Sequence, residues 1–132
     1  MGLPGAGKTV LAMSLQKYLI NIGYSVDWYN ADDIRTLYND WDFSHEGRIR
    51  QAYRMSELAK SNSDYSIVDF VAPLPEMRSI FAPDYLVWVD TLSHGRFEDT
   101  NKIFIPPEKY DFRITSHDGI DYSKIIGDFV RK

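Results

Sequence analysis

Apolar and polar positions change period several times along the chain, and each change marks an element. Leu11, Leu15, Tyr18, Leu19 and Ile22 recur at helical spacing, and Gly23 follows as a stop. The period then shortens to a β-prone run over residues 24–29. Asn30-Ala31-Asp32-Asp33-Ile34-Arg35 reads as a strand tip leading into a helix, with Asp32 and Asp33 suited to its start. Residues 39–44 are polar and read as a loop, with Ser44 as the N-cap of a longer helix reaching about Lys60. Residues 65–71 form a nearly continuous apolar run of the kind that buried parallel strands show, and residues 85–90 form another. Between them Ala72-Pro73-Leu74-Pro75 makes a turn and residues 76–82 a short helix. Residues 91–107 are irregular, polar and Pro-ended, which predicts a lid. A last strand over 112–115 and a closing helix over 121–130 complete the pattern. Strands alternating with helices predict an α/β fold with a mostly parallel, doubly wound sheet in one domain over 1–132.

The stretch Gly2-Leu3-Pro4-Gly5-Ala6-Gly7-Lys8-Thr9 fits the phosphate-loop pattern at every fixed position. Its glycines let successive backbone N–H groups turn inward toward phosphate oxygens, and the following helix adds its positive end. Lys8 supplies a mobile cation for the β- and γ-phosphates, and Thr9 a hydroxyl for Mg²⁺. Residues 3–9 (Leu3, Pro4, Gly5, Ala6, Gly7, Lys8 and Thr9) are therefore the expected ATP contacts. Such a loop normally follows a buried central strand, yet only Met1 precedes Gly2. The expectation is a first strand missing from this sequence, with unpaired edges on both neighbouring strands.

Composition narrows the function classes. With 132 residues, 44% hydrophobic and 14% aromatic, the chain can build the core of one layered α/β unit. It has no cysteine, which excludes disulfides, thiolate zinc sites and a thiol nucleophile, and suits a cytoplasmic protein. A net charge of −4 argues against a non-specific nucleic-acid binder. No signal peptide or apolar span is visible. His45, His94 and His117 show no metal-ligand spacing and read as surface or cap residues.

Three acids fall near expected strand tips, where such sheets meet their ligands. Asp32 can orient or deprotonate an attacking hydroxyl, with helix capping as its bland role. Asp69 is a candidate metal-linked acid that lies within its strand rather than at the end. Asp90, with Thr91, reads as the cap of the next segment. Phosphoryl transfer also needs cations, and Arg35, Arg48, Arg78, Arg96 and Lys102 lie in or near segments after strand tips. Each arginine alone reads more readily as a solvated residue, and Arg50, Arg54 and Glu57 form a solvated face. Phe43 in a polar loop and Phe104 in the lid either stack a nucleobase or clasp the core.

Together these residues resemble adenylyl-sulfate kinase, and in particular a short adenylyl-sulfate-kinase-like group. The resemblance runs over nearly the whole chain. It rests on residues 2–9, Asn30-Ala31-Asp32-Asp33-Ile34-Arg35, Asn39, Asp40-Trp41-Asp42-Phe43-Ser44, Arg48 with Gln51, Asp69-Phe70-Val71-Ala72-Pro73, Arg78, and Gly95-Arg96-Phe97-Glu98-Asp99-Thr100-Asn101. It implies a three-layer P-loop fold and Mg²⁺-assisted transfer of the ATP γ-phosphoryl to the 3′-hydroxyl of adenosine 5′-phosphosulfate. It implies Lys8 and Asp32 as catalytic residues and Thr9 and Asp69 at the metal. Asp32, Arg35, Phe43, Arg48, Gln51, Val71, Ala72 and Phe104 are the implied acceptor contacts. ATP and a small anionic nucleotide are the expected partners, with no nucleic-acid polymer or membrane; a homodimer is left open. There are departures. The family's Asp-Gly-Asp is Asn30-Ala31-Asp32, its usual Asn is Gln51, and its Ser before Pro is Ala72, which favours direct transfer. The lid lacks the family's lysine-rich Gly-Leu-Tyr segment. The alternatives are a P-loop kinase for another hydroxyl (a nucleoside, sugar or polynucleotide end) and a nucleotide-binding module without catalysis.

Overall fold

Helix α1 (Lys8–Asn21) buries Leu11, Ala12, Leu15 and Leu19, the i, i+4 row that the sequence pattern marks. Ile22, the last apolar residue of that pattern, caps the helix and is exposed. The computed structural model describes residues 1–92 and 102–131. The expected lid over 91–107 therefore falls partly outside the described residues, as do His94 and Arg96. After α1 come β1 (Val26–Asn30), α2 (Ala31–Tyr38), α3 (His45–Ala59), β2 (Tyr65–Asp69), α4 (Pro75–Phe81), β3 (Val87–Val89), β4 (Phe112–Ile114) and α5 (Tyr122–Arg131). Two caps set the geometry near the site. Ser44 accepts from the Gly47 N–H at 3.2 Å, as expected. For α2 the cap is Asn30, whose side-chain oxygen accepts from the Asp33 N–H at 3.1 Å, so Asp32 sits in the first turn instead.

Among the described residues the strands are all parallel, as predicted, but they do not join into one sheet. β1 pairs with β2, Val26 opposite Tyr65 through Asn30 opposite Asp69, and β3 pairs with β4. A trough of about 580 Å³ lies between the pairs, walled by Ile67 and Val68 of β2, Val87 of β3, Leu11 and Leu15 of α1, and Ile125 of α5. This is why most of β2 is only half-buried, although its apolar run reads as a fully buried strand. At one end of the trough Met1 is paired with β3. Its amino group donates to the Val87 carbonyl at 2.9 Å, and the Val89 N–H donates to the Met1 carbonyl at 2.9 Å. The approach continues at Gly2, where a Cβ would lie 2.4 Å from the Val89 carbonyl oxygen, so only glycine lets the loop leave the strand here.

Alternation along β3 sends neighbours to opposite faces. Val87 and Val89 pack with Leu11, Leu15, Ile114 and Ile125, under α1 and α5. Trp88 packs with Ala52, Ala72 and Met77, under α3 and α4. The result is helix, strand and helix layers, with β1 and β2 tips beside the phosphate loop. Ile125 is 2% exposed at the centre of the first cluster. Ile125→Ala is expected to destabilise the chain by about 2–5 kcal/mol through lost burial and a residual cavity. Denaturant unfolding checks this, and a shift below about 1 kcal/mol would mean that the cluster can collapse around the gap.

Candidate active site

The loop over residues 2–7 curls back on itself. The Ala6 N–H donates to the Leu3 carbonyl at 3.1 Å, and Lys8 Nζ arches over to donate to the same carbonyl at 3.0 Å. Leu3 and Ala6 are buried, while Gly5 faces solvent. Thr9 Oγ1 donates to Asp69 Oδ2 at 2.8 Å. Asp69 is the last residue of β2 rather than an interior one, which places its carboxylate at the tip, and it is 5% exposed. Asn30, opposite it in register, donates its side-chain N–H to Asp69 Oδ2 at 2.9 Å and to Thr9 Oγ1 at 3.2 Å. The Asn30 amide thus caps α2 with its oxygen and ties two site residues with its nitrogen. A carboxylate in its place would oppose Asp69 instead of donating to it.

A small cleft of about 60 Å³ lies next to this knot. Asp32, Arg35, Phe43, Arg48, Gln51, Val71 and Ala72 all line it. Asp32 reaches it from the first turn of α2, exposed. Arg35 and Arg48 are 5% and 9% exposed, against the expectation of solvated arginines. They are buried because the surrounding loop supplies acceptors. Arg35 Nη1 donates to the Asp40 and Asp42 carbonyls at 3.0 and 3.1 Å, and Arg48 Nε to the Phe43 carbonyl at 2.9 Å. Burial pushes the Arg35 pKa down, with Asp40 opposing the shift. The two guanidinium carbons lie 4.4 and 5.3 Å from the centre of the Phe43 ring. Phe43 itself is 50% exposed, so it is held by cations rather than clasped into the core. Gln51 donates to the Ala31 carbonyl at 3.0 Å and joins α3 to the start of α2.

Ala72 is buried and left-handed, φ 45°, a conformation that costs on the order of 1–3 kcal/mol for a non-glycine residue. Arg78 holds it there. Its Nε donates to the Ala72 carbonyl at 2.9 Å, and its Nη2 to the Pro73 carbonyl at 3.2 Å and the Ile105 carbonyl. Its guanidinium therefore braces a turn, whereas the sequence reading counts it among cations for the transferred group. Phe104 does not line the cleft. It packs against the Ala52, Ala72 and Met77 cluster, with the Arg78 guanidinium 5.6 Å from its ring centre.

The sequence reading gives Asp40 no role of its own and places Arg54 on a solvated face. Arg54 is not part of a solvated face. It donates to Asp40 at 2.9 Å and to Gln51 Oε1 at 2.8 Å, while Arg50 donates to Asp40 at 2.8 and 3.0 Å. The hydrogen bonds from Arg50, then Arg54, hold the Asp40 carboxyl well below the usual carboxylate range. Asp90, read as a cap, accepts from Arg113 Nε at 2.9 Å. Thr91 and His117 reach the phosphate loop itself, with Thr91 Oγ1 and His117 Nε2 each 2.7 Å from the Ala6 carbonyl oxygen. The strand-tip rule that selects Asp32 also points at both residues, since they follow β3 and β4.

A family model described as adenylylsulphate kinase matches residues 1–83. The probable adenylyl-sulfate kinase of Pyrococcus abyssi is 40% identical over 81 residues, covering 58% of this chain and 47% of that protein. The adenylyl-sulfate kinase of Clostridium acetobutylicum is 35% identical over 82 residues, covering 59% of this chain and 41% of that protein. The chain thus spans about half or less of the length of these curated relatives. Mycobacterium tuberculosis APS kinase CysC, solved in complex with AMPPNP and APS, superposes with a TM-score of 0.80 at 23% identity, over 100% of this chain and 95% of that one. That likeness is one of fold.

The Asp40 anchor has a pH signature. Its folded pKa lies below the unfolded value of about 3.9, so the anchor contributes in full above about pH 4 and is lost progressively as pH falls from there toward the lower folded value. Asp40→Asn is expected to lower Tm at neutral pH, with the difference from wild type shrinking in melts at about pH 3. An equal difference at both pH values would contradict the anchor.

Proposed function

The chain belongs to the adenylylsulphate kinase family, and on that premise we propose that it transfers the γ-phosphoryl of ATP directly to the 3′-hydroxyl of adenosine 5′-phosphosulfate. The observation that carries this reading is the cleft. It gathers a carboxylate, two buried guanidiniums and a half-exposed ring beside a phosphate loop. Those are the groups that a substrate with a hydroxyl, an anionic tail and a flat base needs.

In this mechanism the loop N–H groups hold the ATP phosphates, and Lys8 leaves the Leu3 carbonyl for the phosphate oxygens. Asp32 accepts the proton of the 3′-hydroxyl as that oxygen bonds to the γ-phosphorus and the bond to ADP breaks. Arg35 and Arg48 hold the phosphosulfate by charge, and Phe43 stacks the adenine. Gln51, Val71 and Ala72 line the acceptor cleft beside them. The absence of a hydroxyl on Ala72 leaves no phosphoenzyme step at that residue.

Thr9 and Asp69 fit a magnesium ion, since both present oxygen and such an ion takes one or two carboxylates plus substrate phosphates. Among the described residues no group of three or more acidic, histidine or cysteine side chains forms a separate metal cage. Bound there, magnesium would neutralise charge on the phosphates. A cytoplasmic location belongs to the same proposal. Among the described residues no helix is long and apolar enough to cross a membrane.

ADP release measured across adenylyl sulfate, nucleosides and sugars tests the reading. Adenylyl sulfate is expected to be the preferred acceptor, and Asp32→Asn to lower kcat with it by about 10²–10⁴-fold while ATP affinity holds. Preference for a sugar, or a fall of less than tenfold, would remove Asp32 from the chemistry or adenylyl sulfate from the site.

Phe43→Ala separates the ring's roles. Loss of base stacking worth about 1–3 kcal/mol should weaken the acceptor roughly ten- to a hundred-fold and leave ATP affinity and Tm in place. Calorimetric titration of both ligands checks it. Equal losses of both affinities with a lower Tm would make Phe43 a structural residue.

A further inference from the structure

The crest of the phosphate loop is held from outside by two side chains that the sequence reading leaves as caps. Ala6 is 2% exposed, and its carbonyl oxygen lies 2.7 Å from both Thr91 Oγ1 and His117 Nε2. A carbonyl only accepts and has two lone pairs, so it can take both bonds, and His117 must carry its proton on Nε2. The two donors follow β3 and β4. These strands pair in parallel register, which brings both tips to the same end of the sheet.

The consequence comes from peptide geometry. The peptide joining Ala6 to Gly7 is trans, so its C=O and N–H point in opposite directions. Fixing the Ala6 carbonyl against Thr91 and His117 therefore fixes the Gly7 N–H on the other side, away from those two residues. Gly7 makes this fixing necessary. It sits at φ 96° with no side-chain cap for α1, and a glycine peptide rotates easily. Rotation would put a carbonyl oxygen where the Gly7 N–H now points, and that oxygen would repel phosphate. Gly7 is also the only residue type that fits, since a Cβ there would lie 2.2 Å from His117 Nε2.

We propose that Thr91 and His117 are positioning residues that latch the Ala6–Gly7 peptide in its phosphate-accepting orientation. This rests on the reading of residues 2–9 as a nucleotide-phosphate site. Neither side chain touches the phosphates; each acts through the Ala6 carbonyl.

The test uses inorganic tripolyphosphate, which has no base or sugar, alongside ATP and adenosine, with magnesium present. Thr91→Val and His117→Ala should each weaken tripolyphosphate and ATP about five-fold, the equivalent of one ordinary hydrogen bond of about 1 kcal/mol. The double variant should lose more than either single one. His117→Gln, which keeps a donor, should recover most of the loss. In turnover the variants should raise the KM for ATP more than they lower kcat. Unchanged tripolyphosphate affinity in the double variant would overturn the latch. So would loss of His117→Gln rescue with a fall in Tm and in adenosine binding, which marks a merely structural role. Wild-type protein that binds tripolyphosphate but phosphorylates no acceptor would leave the latch standing and overturn the kinase reading. Wild-type protein that binds neither tripolyphosphate nor ATP would overturn both.

Discussion

The site hangs from one carboxylate. Asp69 Oδ2 receives the Thr9 hydroxyl and the Asn30 amide, joining the first turn of α1 to the tips of β1 and β2. The register that sets Asn30 opposite Asp69 makes this possible, and Asn30 in turn caps the helix that carries Asp32 and Arg35. The phosphate loop and the cleft beside it are therefore positioned by the same three side chains. Both donors to Asp69 are neutral. They orient the carboxylate by hydrogen bonds rather than by an ion pair. A buried carboxylate that lost these donors would bear an uncompensated desolvation cost of about 1–3 kcal/mol or more.

A second layer of support comes from arginines that face backbone. Arg35, Arg48 and Arg78 give hydrogen bonds to carbonyls of residues 40, 42 and 43 and of 72, 73 and 105. These bonds fix the guanidinium planes, those of Arg35 and Arg48 at the cleft and that of Arg78 at the neighbouring turn. Asp40 performs the converse service, anchoring Arg50 and Arg54 and leaving its carbonyl for Arg35. Two guanidiniums and an aromatic face are thereby held in fixed positions at the cleft.

Local features were legible in the residues and long-range ones were not. The spacing of Leu11, Leu15 and Leu19 marks α1, and Ser44 marks the start of α3, because helix periodicity and capping are short-range physics. The apolar run 65–71 announces a strand, but its length says nothing about its neighbours. The division into two strand pairs and the trough between them depends on contacts far apart in sequence. The arginines mislead for a related reason. A guanidinium is buried cheaply when backbone carbonyls happen to surround it, and composition does not reveal where those carbonyls fold. The resemblance groups Asp32, Arg35, Phe43, Arg48 and Gln51, and the fold brings these residues to one cleft. His117 and Thr91 read only as cap or surface residues because each lies in a polar segment, 111 and 85 residues from Ala6.

The central claim is that the cleft beside the phosphate loop takes adenosine 5′-phosphosulfate with its 3′-hydroxyl toward the ATP γ-phosphate. Phosphorus NMR of the protein with ATP, Mg²⁺ and adenosine 5′-phosphosulfate tests this most directly, because it identifies the atom that receives the phosphoryl group. The account predicts a new 3′-phosphomonoester signal that grows in step with ADP while the phosphosulfate signal is kept. ADP appearing with free inorganic phosphate alone, or a phosphoryl group found on any other position, would contradict it.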